Sequence, residues 1–217
     1  MSVSRRHIVA GISAVALAGL APDHAFAQRA PQKKFTPAAL HKPGPVGDHI
    51  LGKAEAPVTI VEYASFTCGH CATFHKGTFV KLKEKYIDTG KVKLIFRPFP
   101  TAPAQLSVAA AMLAHCAGEE RYFPMISALF ETQSSWASAN AAAELLKLAN
   151  QAGITKEKFE ACLGDNKLAS DIQQTAVRGF ETFGVEGTPT FFINGIRFEG
   201  DHENIDSLSK AIDPLIK

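Results

Sequence analysis

The tetrapeptide Cys68-Gly69-His70-Cys71 constrains this chain more than any other stretch. Two thiols three positions apart can form a small dithiol/disulfide switch or supply half of a zinc site. They lie where a β-branched run, Val58-Thr59-Ile60-Val61-Glu62-Tyr63-Ala64, gives way to residues of helical spacing, with Phe79, Leu82 and Tyr86 on one stripe. A structural zinc site needs four ligands, usually from two such pairs. The other cysteines, Cys116 and Cys162, fall far apart and make no second pair, although His70 or His75 could be recruited to a metal. A structural disulfide across so short a loop would restrict the unfolded chain little. Redox use is therefore the main reading, no metal is expected, and a metal-carrying binding protein is the alternative of a different class.

Placement suggests how the pair would work. A cysteine in the first turn of a helix meets the positive end of the macrodipole and unpaired backbone N–H groups, which favour thiolate over thiol. Cys68 is expected there as the exposed nucleophile, with Cys71 nearly one turn further in as the buried resolving partner. His70 adds positive charge or a hydrogen bond to the thiolate, or else is a solvent-facing spacer. Glu62 is an oddity, a carboxylate inside a run that reads as buried.

The first residues read as a processing segment. Arg5-Arg6 is a positive start, Ile8 to Leu20 is apolar and uncharged, and Ala25-Phe26-Ala27 fits a cleavage pattern, so residues 1–27 are expected to be a signal peptide. The apolar run is too short to span a bilayer, which takes about 20 helical residues. Ser4-Arg5-Arg6 leaves general secretion and twin-arginine export both open. The mature chain is expected in an oxidising compartment, the periplasm, where disulfides persist. Formal net charge is +2 for the 217 residues, and no block of like charges suggests nucleic acid as a partner.

Residues 28–50 carry Pro31, Pro37, Pro43, Pro45, Gly44 and Gly47 and are expected to form an extended arm without packed elements. After the cysteines, Asp88-Thr89-Gly90 ends a helix and Lys91 to Phe96 reads as a strand. Helices are expected from Pro103 to Cys116, Glu119 to Thr132, Ala141 to Ala149 and Lys156 to Leu163 behind Thr155. A further one runs from Leu168 to Phe183, with Asn166 as its N-cap and Gly184 as its stop. Asn194-Gly195 between Thr190-Phe191-Phe192-Ile193 and Ile196-Arg197-Phe198 is a hairpin signal, and a last helix runs from about Glu203 to Ile216. The order βαβ, helices, ββα gives an α/β class: a thioredoxin-like fold with a helical domain inserted at about 102–183.

These residues resemble the DsbA-like branch of the thioredoxin superfamily, the periplasmic dithiol oxidases, over about 50–217. The resemblance rests on Ala56-Pro57-Val58-Thr59-Ile60-Val61-Glu62-Tyr63, on Ser65-Phe66-Thr67-Cys68-Gly69-His70-Cys71, and on Gly184-Val185-Glu186-Gly187-Thr188-Pro189-Thr190-Phe191. It implies that the Thr188-Pro189 bond is cis against the active pair and that Thr188 offers its backbone to bound peptide. It also implies that the Glu62 carboxylate lies beneath the buried cysteine and helps move its proton. The Gly-His dipeptide stands where DsbA usually has Pro-His and matches eukaryotic disulfide isomerases. Thr188 stands where Val is common and is shared with the isomerase DsbC. The implied activity is oxidation of unfolded, cysteine-containing client proteins, with reoxidation by a membrane quinone-linked partner, no cofactor, and a monomeric enzyme. An isomerase or a reductase for copper-site or cytochrome assembly is the alternative. Cys116 and Cys162 are either a second, structural disulfide, as in some DsbA relatives, or two buried thiols packing as small hydrophobes.

Overall fold

The computed structural model describes residues 35–216; the expected signal peptide lies outside the described residues. A short helix, Pro37–His41 (α1), and a two-residue strand, Ile50–Leu51 (β1), precede Val58–Ala64 (β2). Gly69–Lys76 (α2) and Thr78–Leu82 (α3) run into a π-turn at Lys83–Ile87, and Val92–Pro98 (β3) completes a strand–helix–strand unit. Six helices follow: Ala104–Cys116 (α4), Tyr122–Glu131 (α5), Gln133–Trp136 (α6), Ala141–Gln151 (α7), Lys156–Leu163 (α8) and Asn166–Phe183 (α9). The hairpin Thr190–Ile193 (β4) and Ile196–Arg197 (β5) and the helix Ile205–Ile212 (α10) close the chain. This is a thioredoxin-like fold with a helical region inserted between β3 and β4.

The strands form one sheet in the order β1-β3-β2-β4-β5, with β2 and β3 parallel and the other pairs antiparallel. β2 is central and every one of its residues is buried, which is why it reads as a continuous apolar run rather than an alternating one. Successive side chains still point to opposite faces. On one face Val58, Ile60, Leu94 and Phe191 pack on Phe74, Phe79, Leu82 and Leu208. On the other, Val61, Tyr63, Ile95 and Phe192 pack on Leu40, Phe183 and Val185. Glu62 shares the parity of Ile60 and therefore faces α2. The helical region has its own core around Leu113, Leu129, Phe130 and Trp136, which reaches the sheet end through Phe66 and Phe96.

Three local expectations are corrected. From Phe35 onward the arm is packed: Thr36 caps α1 and Leu40 is fully buried. The buried Arg97 guanidinium donates to Asp48 at 2.9 and 2.7 Å and to the Lys42 carbonyl at 3.2 Å. A lone Leu or Asp in a Pro/Gly-rich stretch carries no periodicity, so its distant partners decide whether it docks. The α9 N-cap is Asp165, not Asn166; its carboxylate accepts from the Leu168 N–H at 2.9 Å. The helix after the cysteines is broken at Gly77, whose φ of −119° and ψ of −83° are not helical.

The Asn194-Gly195 turn does take left-handed φ values of 46° and 84°. Gly195 also lets the Phe35 backbone approach, where a Cβ would collide with the Phe35 carbonyl. Among the described residues two X–Pro bonds are cis, Thr188-Pro189 and, without a signal in the sequence, Ala102-Pro103.

Candidate active site

Cys68 is the N-cap of α2 and Cys71 lies in its first turn, both as free thiols. Cys68 is half-buried, whereas Cys71 is fully buried against the helical core. The Cys68 Sγ lies 3.3 Å from the Thr188 carbonyl oxygen, so the loop before Pro189 is brought directly onto Cys68. The two sulfurs sit in opposite electrostatic settings. Hydrogen bonding from the Cys71 thiol is the largest influence on Cys68. Aided by Thr188 and the backbone N–H groups of Cys71 and His70, it outweighs burial and lowers the Cys68 pKa to about 5. Cys71 is pushed far above the usual thiol range, first by burial, then by Cys68, with the Glu62 charge adding to it.

A hydroxyl and amide frame fixes the loop that carries Cys68. The buried Ser107 Oγ of α4 accepts from the Phe66 N–H at 3.1 Å and shares a 3.0 Å hydrogen bond with Ser65 Oγ. Ser65 Oγ also accepts from the Thr101 N–H at 3.1 Å, and Thr67 Oγ1 donates to the Thr101 carbonyl at 3.1 Å. From α6, Gln133 Nε2 donates to the carbonyls of Phe66 at 2.7 Å and Cys68 at 2.9 Å. Three separate elements thus hold the turn in which β2 becomes α2. Ser107 and Gln133 supply partners that the irregular backbone there would otherwise lack, and Thr101 holds the Ser65 and Thr67 side chains.

Beneath the pair, Glu62 is fully buried and its carboxylate oxygens lie 2.9 and 3.2 Å from His75 Nε2. The His75 ring stacks on Phe130 at 4.2 Å. His70, by contrast, turns its side chain outward to Glu203 at 3.2 Å, with 77% of it exposed. Only the backbone N–H of His70 favours the Cys68 thiolate. Among the described residues no group of three or more His, Cys, Asp or Glu is placed to hold a metal ion. Cys116 and Cys162 are joined in a disulfide between α4 and α8.

Ser107, Gln133 and a role for His75 beyond metal recruitment are not among the residues expected from the sequence. His75 carried a usable signal, since position i+4 from Cys71 puts it on the same helix face, toward the sheet. Gln133 carried none, because it reaches the loop from a four-residue helix far along the chain.

Residues 45–214 match the sequence profile of the family described as Thioredoxin. A crystal structure of Wolbachia pipientis alpha-DsbA1 superposes with a TM-score of 0.72 at 34% identity, covering 78% of this chain and 90% of that one. A Bacillus anthracis protein named "Probable disulfide bond formation protein D" is 30% identical over 172 residues, 77% of either chain. A Rickettsia bellii protein named as a protein-disulfide oxidoreductase is 36% identical over 174 residues. The match takes in 78% of this chain but 65% of that relative, so this chain spans less than two thirds of its length. From its profile match, its superposition and the cysteine pair at the head of α2, the chain belongs to the thioredoxin family, in its DsbA-like branch.

Proposed function

We propose that this protein is an exported, periplasmic thiol–disulfide oxidoreductase that introduces disulfide bonds into cysteine-containing clients, acting as a monomer without a cofactor. The observation that carries this reading is the split between the two sulfurs, Cys68 lowered to about 5 and Cys71 raised. In the oxidised enzyme a client thiolate attacks Cys68 Sγ and breaks the Cys68–Cys71 bond. Cys71 leaves as a thiolate and takes a proton, with Glu62 as the nearby acid. The client's second thiolate then attacks its own sulfur in the mixed disulfide, and Cys68 leaves as a thiolate. The client is oxidised by two electrons and the enzyme reduced by two. A leaving thiolate that is stabilised at neutral pH makes the oxidised enzyme a stronger oxidant. A membrane quinone-linked partner would take the electrons back. Thr188, whose carbonyl faces Cys68, and Pro189 would receive the client backbone; His70 acts through its N–H.

The periplasmic assignment is supported by the signal-like residues 1–27 and by the resemblance to the DsbA-like dithiol oxidases. No helix among the described residues is long and apolar enough to cross a membrane. Gly69, His70 and Thr188 favour a second reading, a disulfide isomerase or a reductase, since these residues are shared with isomerases. The deciding measurement is the equilibrium reduction potential of Cys68–Cys71 against glutathione. An oxidase is expected to lie toward DsbA, about −120 mV, and a value near that of thioredoxin, about −270 mV, would overturn the proposal.

A further inference from the structure

Glu62 is the acid given to Cys71 in the mechanism above, and its charge acts on that thiol, yet it is fully buried. A proton passed from Cys71 to it must also reach solvent. Among the described residues, the ionisable side chain hydrogen-bonded to that carboxylate is His75. That ring is 2% exposed and bonds Glu62 through Nε2, while its other nitrogen, Nδ1, is buried and has no hydrogen-bond partner. His75 also lines a cleft of about 140 Å³ between α2–α3 and α5. Lys76, Lys83, Ser127 and Glu131 line the same cleft. His75 thus touches the buried carboxylate and lines a cleft that carries charged side chains.

We infer that His75 is a positioning residue of the exchange reaction, a proton relay that connects Glu62 to water through the cleft between α2–α3 and α5. An imidazole suits this role because it can accept a proton at one nitrogen while releasing one from the other. When the reduced enzyme meets glutathione disulfide, the Cys68 thiolate attacks it and releases one glutathione thiolate, leaving a mixed disulfide. As the Cys71 proton passes to Glu62, His75 takes up a proton from that carboxyl at Nε2 and releases one from Nδ1 toward the cleft. The Cys71 thiolate attacks Cys68 Sγ, and the second glutathione leaves as a thiolate. Two electrons pass from the dithiol to glutathione disulfide, and the proton ends in water. The titratable groups around His75 are Glu62 of β2, hydrogen-bonded to it, Cys71 one turn earlier on α2, and Lys76, Lys83 and Glu131, which line the same cleft.

This inference rests on the thiol–disulfide reading, and its test separates the two. Full-length wild type, His75→Gln and His75→Phe are reduced, mixed with glutathione disulfide, acid-quenched over time and weighed by mass spectrometry. Formation of the mixed disulfide is expected to stay within about twofold of wild type, since it uses only Cys68. Closure to Cys68–Cys71 is expected to slow about tenfold at pH 7 in both variants. That loss is less than the 10²-fold or more typical of deleting a general acid or base, because Glu62 remains. It should be restored in part by raising the pH, since more hydroxide can take up the Cys71 proton without the relay. Glutamine can still donate to Glu62 but cannot pass a proton, so wild-type closure in His75→Gln, whatever His75→Phe does, would overturn the relay. A wild type that never closes its pair would overturn the redox reading as well.

Discussion

The chain holds two cysteine pairs, and they sit at opposite ends of helices. Cys68 opens α2, so its sulfur meets free backbone N–H groups and the positive end of the helix dipole. Cys116 is the last residue of α4 and Cys162 the next to last of α8, where carbonyls and the negative end gather. The first pair is three positions apart and the second 46, so the second closes a loop long enough to restrict the unfolded chain. The same kind of pair, two cysteines, is thereby given two characters by helix polarity and loop length. A thiolate at the head of α2 is a good leaving group, and one at the foot of α4 or α8 is not.

The two pairs should separate most clearly when either is substituted. Cys68→Ser should abolish oxidation of a reduced, two-cysteine client peptide, read as loss of disulfide formation over the background. Cys116→Ala with Cys162→Ala should leave that activity within a few-fold and instead lower unfolding stability by up to about 4 kcal/mol in denaturant titration. If the double variant lost exchange as completely as Cys68→Ser, the two pairs would not differ in kind.

A smaller effect is expected from the frame that aims Cys68. Ser107→Ala removes the acceptor for the Phe66 N–H and a partner of Ser65 Oγ, both buried. It should cost about 1–3 kcal/mol of stability, the usual penalty for stranding a buried polar group. Denaturant titration reads that loss, and a Ser107→Ala variant as stable as wild type would mean that the active pair is no more firmly framed than the structural one.

The finest test is pH. Cys68 titrates near 5 in the folded, reduced protein, below the unfolded thiol value of about 8.5. Folding of the reduced form therefore gains stability that is complete above about 8.5 and is lost as pH falls through about 5. The oxidised form has no thiol to titrate there, so the reduced-minus-oxidised stability difference should shrink on acidification. Iodoacetamide alkylation of Cys68 should fall about tenfold between pH 7 and pH 4, following the thiolate fraction. An alkylation rate that still climbs through pH 8 would mean that Cys68 is an ordinary thiol.

Much of this was readable because it is local. Cys68 to Cys71 occupy one turn, Asn194-Gly195 fixes its own hairpin through left-handed backbone, and Thr155 caps its helix from one position away. Glu62 stood out as a carboxylate in a buried run, but its place near the pair came only from the resemblance. What escaped depends on partners far along the chain. Leu40 and Asp48 look like loop residues until Arg97 and the outer sheet face are in place, and Gln133 looks like surface until it reaches Phe66. The role given to His70 illustrates a different limit. A side chain between two cysteines looks poised to act, but backbone direction in the first helical turn sends it to Glu203 and leaves only the N–H near sulfur.

The clamp on the arm bears on the order of assembly. Arg178 donates to the carbonyls of Lys42 and Ala39 across 136 and 139 positions. Arg97 takes Asp48 across 49. Contacts between residues so distant form late, after shorter loops have closed. Residues 35–48, made before the rest of the described fold, are thus among the last to find their places. Until they do, the guanidinium of Arg97 must keep its water, and the outer face of the sheet stays open.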